Sequence, residues 1–344
     1  MTKHTLVATM KDEGPFLLEW LAYHYSIGFD QFHISSNDCS DHTDDILTLF
    51  QQQGLIIYNE NSLAVQGEAP DPQRRAYGRA RRTHSVNRSQ YVTILDADEF
   101  LNCHIGTGTL DELLDHIEPF DLLSPTWRVF GSGGIVEFQD QLQTEQFTGT
   151  ARPFYPPTQR FWGVKTMFRP EHVVNFGVHR PQLKPEQRKG TATPLVWLNG
   201  AGENVYDHFA LGGWFSNRKS YGHNMAQINH YMVRSSEAFL MKRLRGTANT
   251  MDQDRINFDY FKQYDRNPKS NTSIQKHIPA IRKQIEAWCR DIPGLRDMHN
   301  ASVSYHKARI AMIRTELITS DADMSKTLGL IDEMEQDIPA IGAG

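Results

Sequence analysis

Cysteine is scarce: Cys39, Cys103 and Cys289 are the three in 344 residues. An odd, scattered set excludes a disulfide framework and a cysteine-rich zinc site. Long hydrophobic runs are lacking as well. No uninterrupted apolar stretch exceeds four residues, against the roughly 20 that a membrane-spanning helix needs. Charge of one sign does not dominate either. Lys+Arg 36 against Asp+Glu 41 leave a formal net charge of -5, which argues against a dedicated duplex-DNA binder. There is no repeat or biased tract, so solenoid, collagen-like and disordered chains are excluded. The start, MTKHTLVATMKDEG, carries no apolar core of the signal-peptide kind. The expectation is a cytoplasmic protein, with peripheral attachment to the inner face of the membrane compatible with it.

What is present is an alternation of strand and helix patterns over the first 100 residues. TLVAT (5–9), QFHIS (31–35), LIIY (55–58) and YVTIL (91–95) read as strands. Helices are expected over 14–27, 43–52 and 73–87, the first two ended by Gly28 and Gly54. This order predicts an α/β fold, Rossmann-like, with a mostly parallel mixed sheet and flanking helices. Ligands of such sheets sit at the carboxyl ends of the strands, here Lys11–Glu13, Asn37–Asp38 and Asp96–Asp98. Residues 107–229 are rich in Gly, Pro and aromatics, the usual material of a pocket. From Ser235 the pattern turns helical, with helices expected near 274–290, 302–318 and 324–337. The division expected is 1–247, in two halves (1–105 and 106–247), followed by a helical extension over 248–344.

The strongest chemical signal is ILDADEF, in which Asp96 and Asp98 close the fourth strand. At i and i+2 of an extended strand the two carboxylates point to one side, where they could hold Mn2+ or Mg2+ gripping phosphate oxygens. Five arginines lie on the preceding helix. Arg75, Arg79 and Arg82 share one face, and Arg74 and Arg81 another; Arg79 is the choice for reaching donor phosphates. Neither a P-loop nor a dinucleotide fingerprint follows the first strand, and there is no G-x-S-x-G elbow.

An ordered set of segments then carries a resemblance. MKDEGPFLLEWLAYHYSIGFDQFHISSNDCSDHTDDIL, YVTILDADEFL, WRVFGSGG, KTMFRP, NFGVHRP and INHYMVRSSEAFLMKRLRG span about residues 5–247. In this the chain resembles family 2-type glycosyltransferases of the GT-A fold, in the bacterial branch similar to family 92. The resemblance implies a nucleotide-sugar donor, most often a UDP-sugar, a divalent metal, and a glycan, lipid-linked or other hydroxyl acceptor, with no nucleic acid partner. It puts Lys11, Glu13, Asn37, Asp38 and Asp96 near the donor, with Lys242 and Arg245 on its diphosphate. It makes Asp96, Asp98 and the late His230 the metal residues, with Asp98 the better direct ligand. Lys165 and His179 fall to the acceptor or a phosphate. An inverting transfer needs a base near the acceptor hydroxyl. Asp207 and Glu203 in NGAGENVYDHF fit by position, with Glu137 and His179 as rivals, and the ED-type signature is missing. The competing readings are a sugar-nucleotide nucleotidyltransferase and a polyanion- or RNA-binding protein using helix 73–87.

Overall fold

Two sheets carry the site. Their strands in chain order are β1 (His4–Met10), β2 (Gln31–Ser36), β3 (Ile57–Glu60), β4 (Tyr91–Ile94), β5 (Glu99–Cys103), β6 (Leu122–Ser124), β7 (Trp127–Val129), β8 (Met167–Phe168), β9 (Trp197–Asn199) and β10 (Ala226–His230). The computed structural model describes residues 3–153, 161–189, 191–245 and 256–330. The larger sheet has the order β9-β6-β8-β4-β1-β2-β3. Strands β4, β1, β2 and β3 are parallel, and so are β9 and β6, while β8 runs antiparallel between β4 and β6. The expected mixed, mostly parallel sheet is therefore present. The smaller sheet, β5-β10-β7, lies across the end of β4. In its register His230 pairs with Glu99.

The helices that matter are α1 (Gly14–Ser26), α2 (Thr43–Gln52), α3 (Pro72–Arg82), α4 (Ser236–Arg245), α5 (Phe258–Tyr264), α6 (Ile278–Asp291) and α7 (Leu295–Ser320). Two local expectations shift for identifiable reasons. The third strand starts at Ile57 rather than 55, because Leu55 N–H caps α2 on the Phe50 carbonyl after Gly54 turns the chain at φ +68. The arginine helix stops at Arg82, where Thr83 becomes extended and its hydroxyl donates back to the Arg79 carbonyl. A separate turn covers His84–Asn87.

Helix α1 is buried from Gly14 through His24, on both faces. One face lies on the sheet, and α6 and α7 cover the other. Trp288 of α6 packs edge-on against Phe50 and Tyr25, at 5.0 and 5.7 Å between ring centroids. The C-terminal helices thus share the main apolar core with the sheet. Helix α6 begins at Ile278, with a proline in its first turn, and α7 extends the expected 302–318 at both ends. The last expected helix is present over Ala322–Thr327. Its remainder from 331, and the expected boundary at 247, lie outside the described residues.

Asp41 ties these layers together. It accepts from the backbone N–H of Gly14 and Thr43, and His306 of α7 meets it at 2.7 Å. Burial pushes the Asp41 carboxyl up, but its bonds with His306, Thr43 and Gly14 overcome this and hold it below the ordinary value. A depressed folded value contributes stability above the unfolded pKa of about 4, which is lost as pH falls through the folded value. Urea unfolding from pH 6 to pH 3 is therefore expected to show a smaller acid-induced loss in Asp41→Asn than in the native chain. Parallel pH profiles for the two proteins would contradict this.

Candidate active site

Lys11 and Glu13 after β1, the D-A-D turn after β4, and His230 at the end of β10 open onto one cleft. Its other walls come from Gln73 of α3, Trp127 of β7, Val178, His179 and Trp214, and from Lys242, Arg245, Ile256, Tyr260 and Tyr264. The position is the carboxyl edge of the parallel strands, as the topology requires.

The two aspartates bond to different groups. The chain leaves β4 after Ile94 and turns through Ala97 and Asp98 into β5, so the extended geometry expected of i and i+2 does not apply. Asp96 is bound on both oxygens, at 2.9 Å to Lys165 Nζ and 3.3 Å to Gln73 Nε2. Lys165 itself is fully buried, 2.8 Å from Glu99, which also accepts from the Trp127 indole N–H at 2.8 Å. Burial works against the Lys165 charge, but Asp96 and Glu99 outweigh it and push its pKa up. Lys165 is thus an interior counter-ion beneath the D-A-D turn rather than a group on the cleft wall.

Asp98 faces the cleft. Its Oδ1 lies 3.4 Å from His230 Nε2 and its Oδ2 lies 2.7 Å from Lys242 Nζ. Burial alone would raise this carboxyl, but Lys242 and His230 hold it well below the usual carboxylate range. Lys242 is anchored by a second bond to the Met232 carbonyl at 2.8 Å. The His230 ring packs edge-on against Trp127, 4.6 Å away.

Glu13 is clamped between Arg234, at 2.8 Å, and Arg245. Burial raises its carboxyl, and the two guanidinium groups more than reverse that. Arg245 also donates to the Lys11 and Asp12 carbonyls. Arg234 lies in the same segment as His230 and Lys242, and no pattern in the sequence sets it apart. It sits in left-handed backbone at φ +54, stacks 3.6 Å over Phe16 and donates to Ala97 O. A non-glycine residue held there by Glu13, Gln143, Ala97 and Phe16 is the kind of strain that collects at functional sites. Glu13 therefore orients cations in the cleft, since both of its oxygens are engaged.

His179 lies flat on Trp214, with ring centroids 3.8 Å apart and planes 8° from parallel. Its Nδ1 is 3.2 Å from the Val164 carbonyl. A carbonyl can only accept, so that bond makes Nδ1 the protonated nitrogen and Nε2 the basic one. Trp127 touches both His179 and His230 and so separates the two imidazoles.

Several expected residues lie elsewhere. Arg79 donates to Glu68 at 2.8 Å and to the Glu60 and Leu63 carbonyls. Together with Arg75 and Arg82 it fastens the 60–70 loop to α3 and does not line the cleft. Asn37 and Asp38 follow β2 on the same rim but also fall outside the lining, and Asp38 is exposed at φ +50. Glu203 is exposed and accepts from Asn199 at 3.0 Å, while Asp207 is exposed in the short helix Tyr206–Phe209. Glu137 borders a different surface hollow, with Lys307 and Arg314. Tyr260 and Tyr264, from the region read as an extension without chemistry, lie in the cleft wall. No periodicity marks them; the signal is only their proximity after folding.

No curated protein matches the chain. Among solved structures, the crystal structure of S. aureus TarS is similar, at 12% identity and a TM-score of 0.30. The alignment covers 88% of this chain and 54% of that one, so the chain spans about half of TarS, and a likeness this low carries no argument. Glycosyltransferase family 92 matches residues 7–286, through the cleft and into α6. Covering most of the chain, that match makes this protein a member of glycosyltransferase family 92, a glycosyltransferase enzyme.

Proposed function

We propose that the cleft binds a nucleoside diphosphate sugar, in the first instance a UDP-sugar, with a divalent cation, and transfers the sugar with inversion to an acceptor hydroxyl. The observation that carries this is the Asp98–His230 pair facing the cleft beside Lys242 and Arg245. Charge supports the metal. Glu13, Asp96, Asp98 and Glu99 are already matched by Arg234, Arg245, Lys242 and Lys165. Among the described residues Lys11 is the further cation in the cleft lining, too little for a diphosphate.

The donor set fits in part. Adjacent ligands on one ion with bonds near 2.1 Å are about 3 Å apart, close to the 3.4 Å between Asp98 Oδ1 and His230 Nε2. Among the described residues no third His, Cys, Asp or Glu joins them. The remaining positions would fall to diphosphate oxygens and water, the usual plan for Mg2+ and Mn2+. When bound, the cation supplies positive charge to the departing diphosphate. Lys242 and Lys11 add to that stabilisation, and Arg245, gripped by Glu13, holds the strand ends rigid around it. His179 Nε2 takes the acceptor proton. That role passes to it from Asp207 and Glu203 because it lies in the cleft and they do not.

The test is protection against thermal unfolding by a panel of nucleotide sugars, with and without Mn2+. A donor at 100 times its Kd should stabilise by about 2.7 kcal/mol, with the metal required. No shift with any UDP- or GDP-sugar would sink this reading.

A further inference from the structure

The 176–180 loop has two sides. Val178 and His179 line the cleft, whereas Phe176, Gly177 and Arg180 line a separate groove against α3. A side chain on Gly177 would collide with the Arg180 carbonyl, so this tight turn requires glycine. Four arginines surround the groove: Arg74 and Arg81 from α3, and Arg180 and Arg188 from across it. Among the described residues no Asp or Glu lines it. Among the described residues none of the four is ion-paired, unlike Arg79 and Arg82 on the opposite face of α3, which share Glu68.

The arrangement is built rather than merely solvated. Arg81 is tied to the Val173 and Val174 carbonyls, and Arg180 Nε donates to Gly213 O at 2.6 Å. On α3 the positions 74, 78 and 81 share one face, and Gly78 leaves the floor between the two arginines open. Burial and the nearby Arg188 both lower the Arg180 pKa, as expected of positive charge without a counter-ion. Gathering like charges costs energy that a bound anion offsets, and planar guanidinium groups match phosphate oxygens two at a time. Gly213 adjoins Trp214, the platform under His179. Through its bond to Gly213, Arg180 is held next to that stack in the chain fold.

We propose that this groove binds phosphate groups of the acceptor, so that the acceptor is a phosphate-bearing saccharide reaching from His179 across the loop. This rests on the transfer reading above. The alternative source of phosphate, an anionic lipid surface, is suggested only by the exposed Leu211 at the rim.

The test is calorimetric titration of the full chain with inorganic tripolyphosphate. Arg74 and Arg188 are both exposed, so the double variant Arg74→Glu/Arg188→Glu should fold normally. Its affinity is expected to fall at least about tenfold. The lysine double variant and Lys242→Ala should keep most of the binding, and native binding should weaken with added salt. Unchanged affinity in the glutamate variant, or loss in Lys242→Ala instead, would overturn the groove. Native chain that sediments with phosphatidylglycerol vesicles, when the glutamate variant does not, would make it a membrane contact and overturn the acceptor role. Donor protection is read separately on the native chain and the glutamate double variant and should be equal in these two. Its absence from the native chain would remove the transfer reading, and the acceptor role with it, whatever the titration shows.

Discussion

Asp98→Asn is expected to lower glycosyl transfer at least about 100-fold, the scale of losing one preorganised charged contact in a catalytic site. The substitution keeps the volume and removes the charge. Lys242, at 2.7 Å, and His230, at 3.4 Å, both lose the carboxylate that aims them into the cleft. Release of nucleoside diphosphate at saturating donor measures the effect, and metal-dependent donor protection should disappear with it. His179→Gln offers the contrast. It should depress transfer while leaving donor protection intact, since His179 sits on the Trp214 side of Trp127 from His230. A fully active Asp98→Asn enzyme would remove Asp98 from the donor site.

The second large effect concerns folding. Lys165→Met should destabilise the chain by about 3–5 kcal/mol, because it leaves Glu99 buried and Asp96 half-buried without their cation. Methionine fills much of the same volume, so little of the loss comes from a cavity. The pH dependence identifies the cause. Burial already pushes the Glu99 carboxyl up, and Asp96 and Asp98 push in the same direction. Without Lys165 the folded value rises further. A raised folded value favours the native state below it, so the variant should regain stability relative to the native chain as pH falls from 8 towards 5. Urea midpoints across that range, and partial recovery in Lys165→Met/Glu99→Gln, check the assignment. A pH-independent loss would point to packing instead.

No helix among the described residues is long and apolar enough to cross a membrane. The groove beside the cleft makes the distribution of charge more informative than its sum of -5. Arginines on one side of α3 hold the 60–70 loop through Glu68, and those on the other side, among the described residues, have no carboxylate partner for their guanidinium groups. Helical spacing separates the two faces correctly, yet it points to Arg79 rather than Arg74 and Arg81, because spacing does not say which face meets a carboxylate.

By itself the sequence determines the β1-α1-β2-α2-β3 succession, since strands and helices carry their own apolar patterns and Gly28 and Gly54 follow the two helices. The resemblance to family 92 groups Asp98, His230, Lys242 and Arg245, and all four line one cleft. Only the tertiary structure decides how they meet. Lys165 lies 69 residues from Asp96 and is chosen as its partner by the antiparallel insertion of β8 beside β4. Arg234 lies 221 residues from Glu13, and His230 reaches Asp98 only because β10 pairs with β5. The cleft face of His179, the remoteness of Asp207 and the packing of α6 and α7 on α1 have the same origin. Local patterns encode which backbone hydrogen bonds form nearby; which side chains share a buried charge depends on strand register and loop paths that no local window contains.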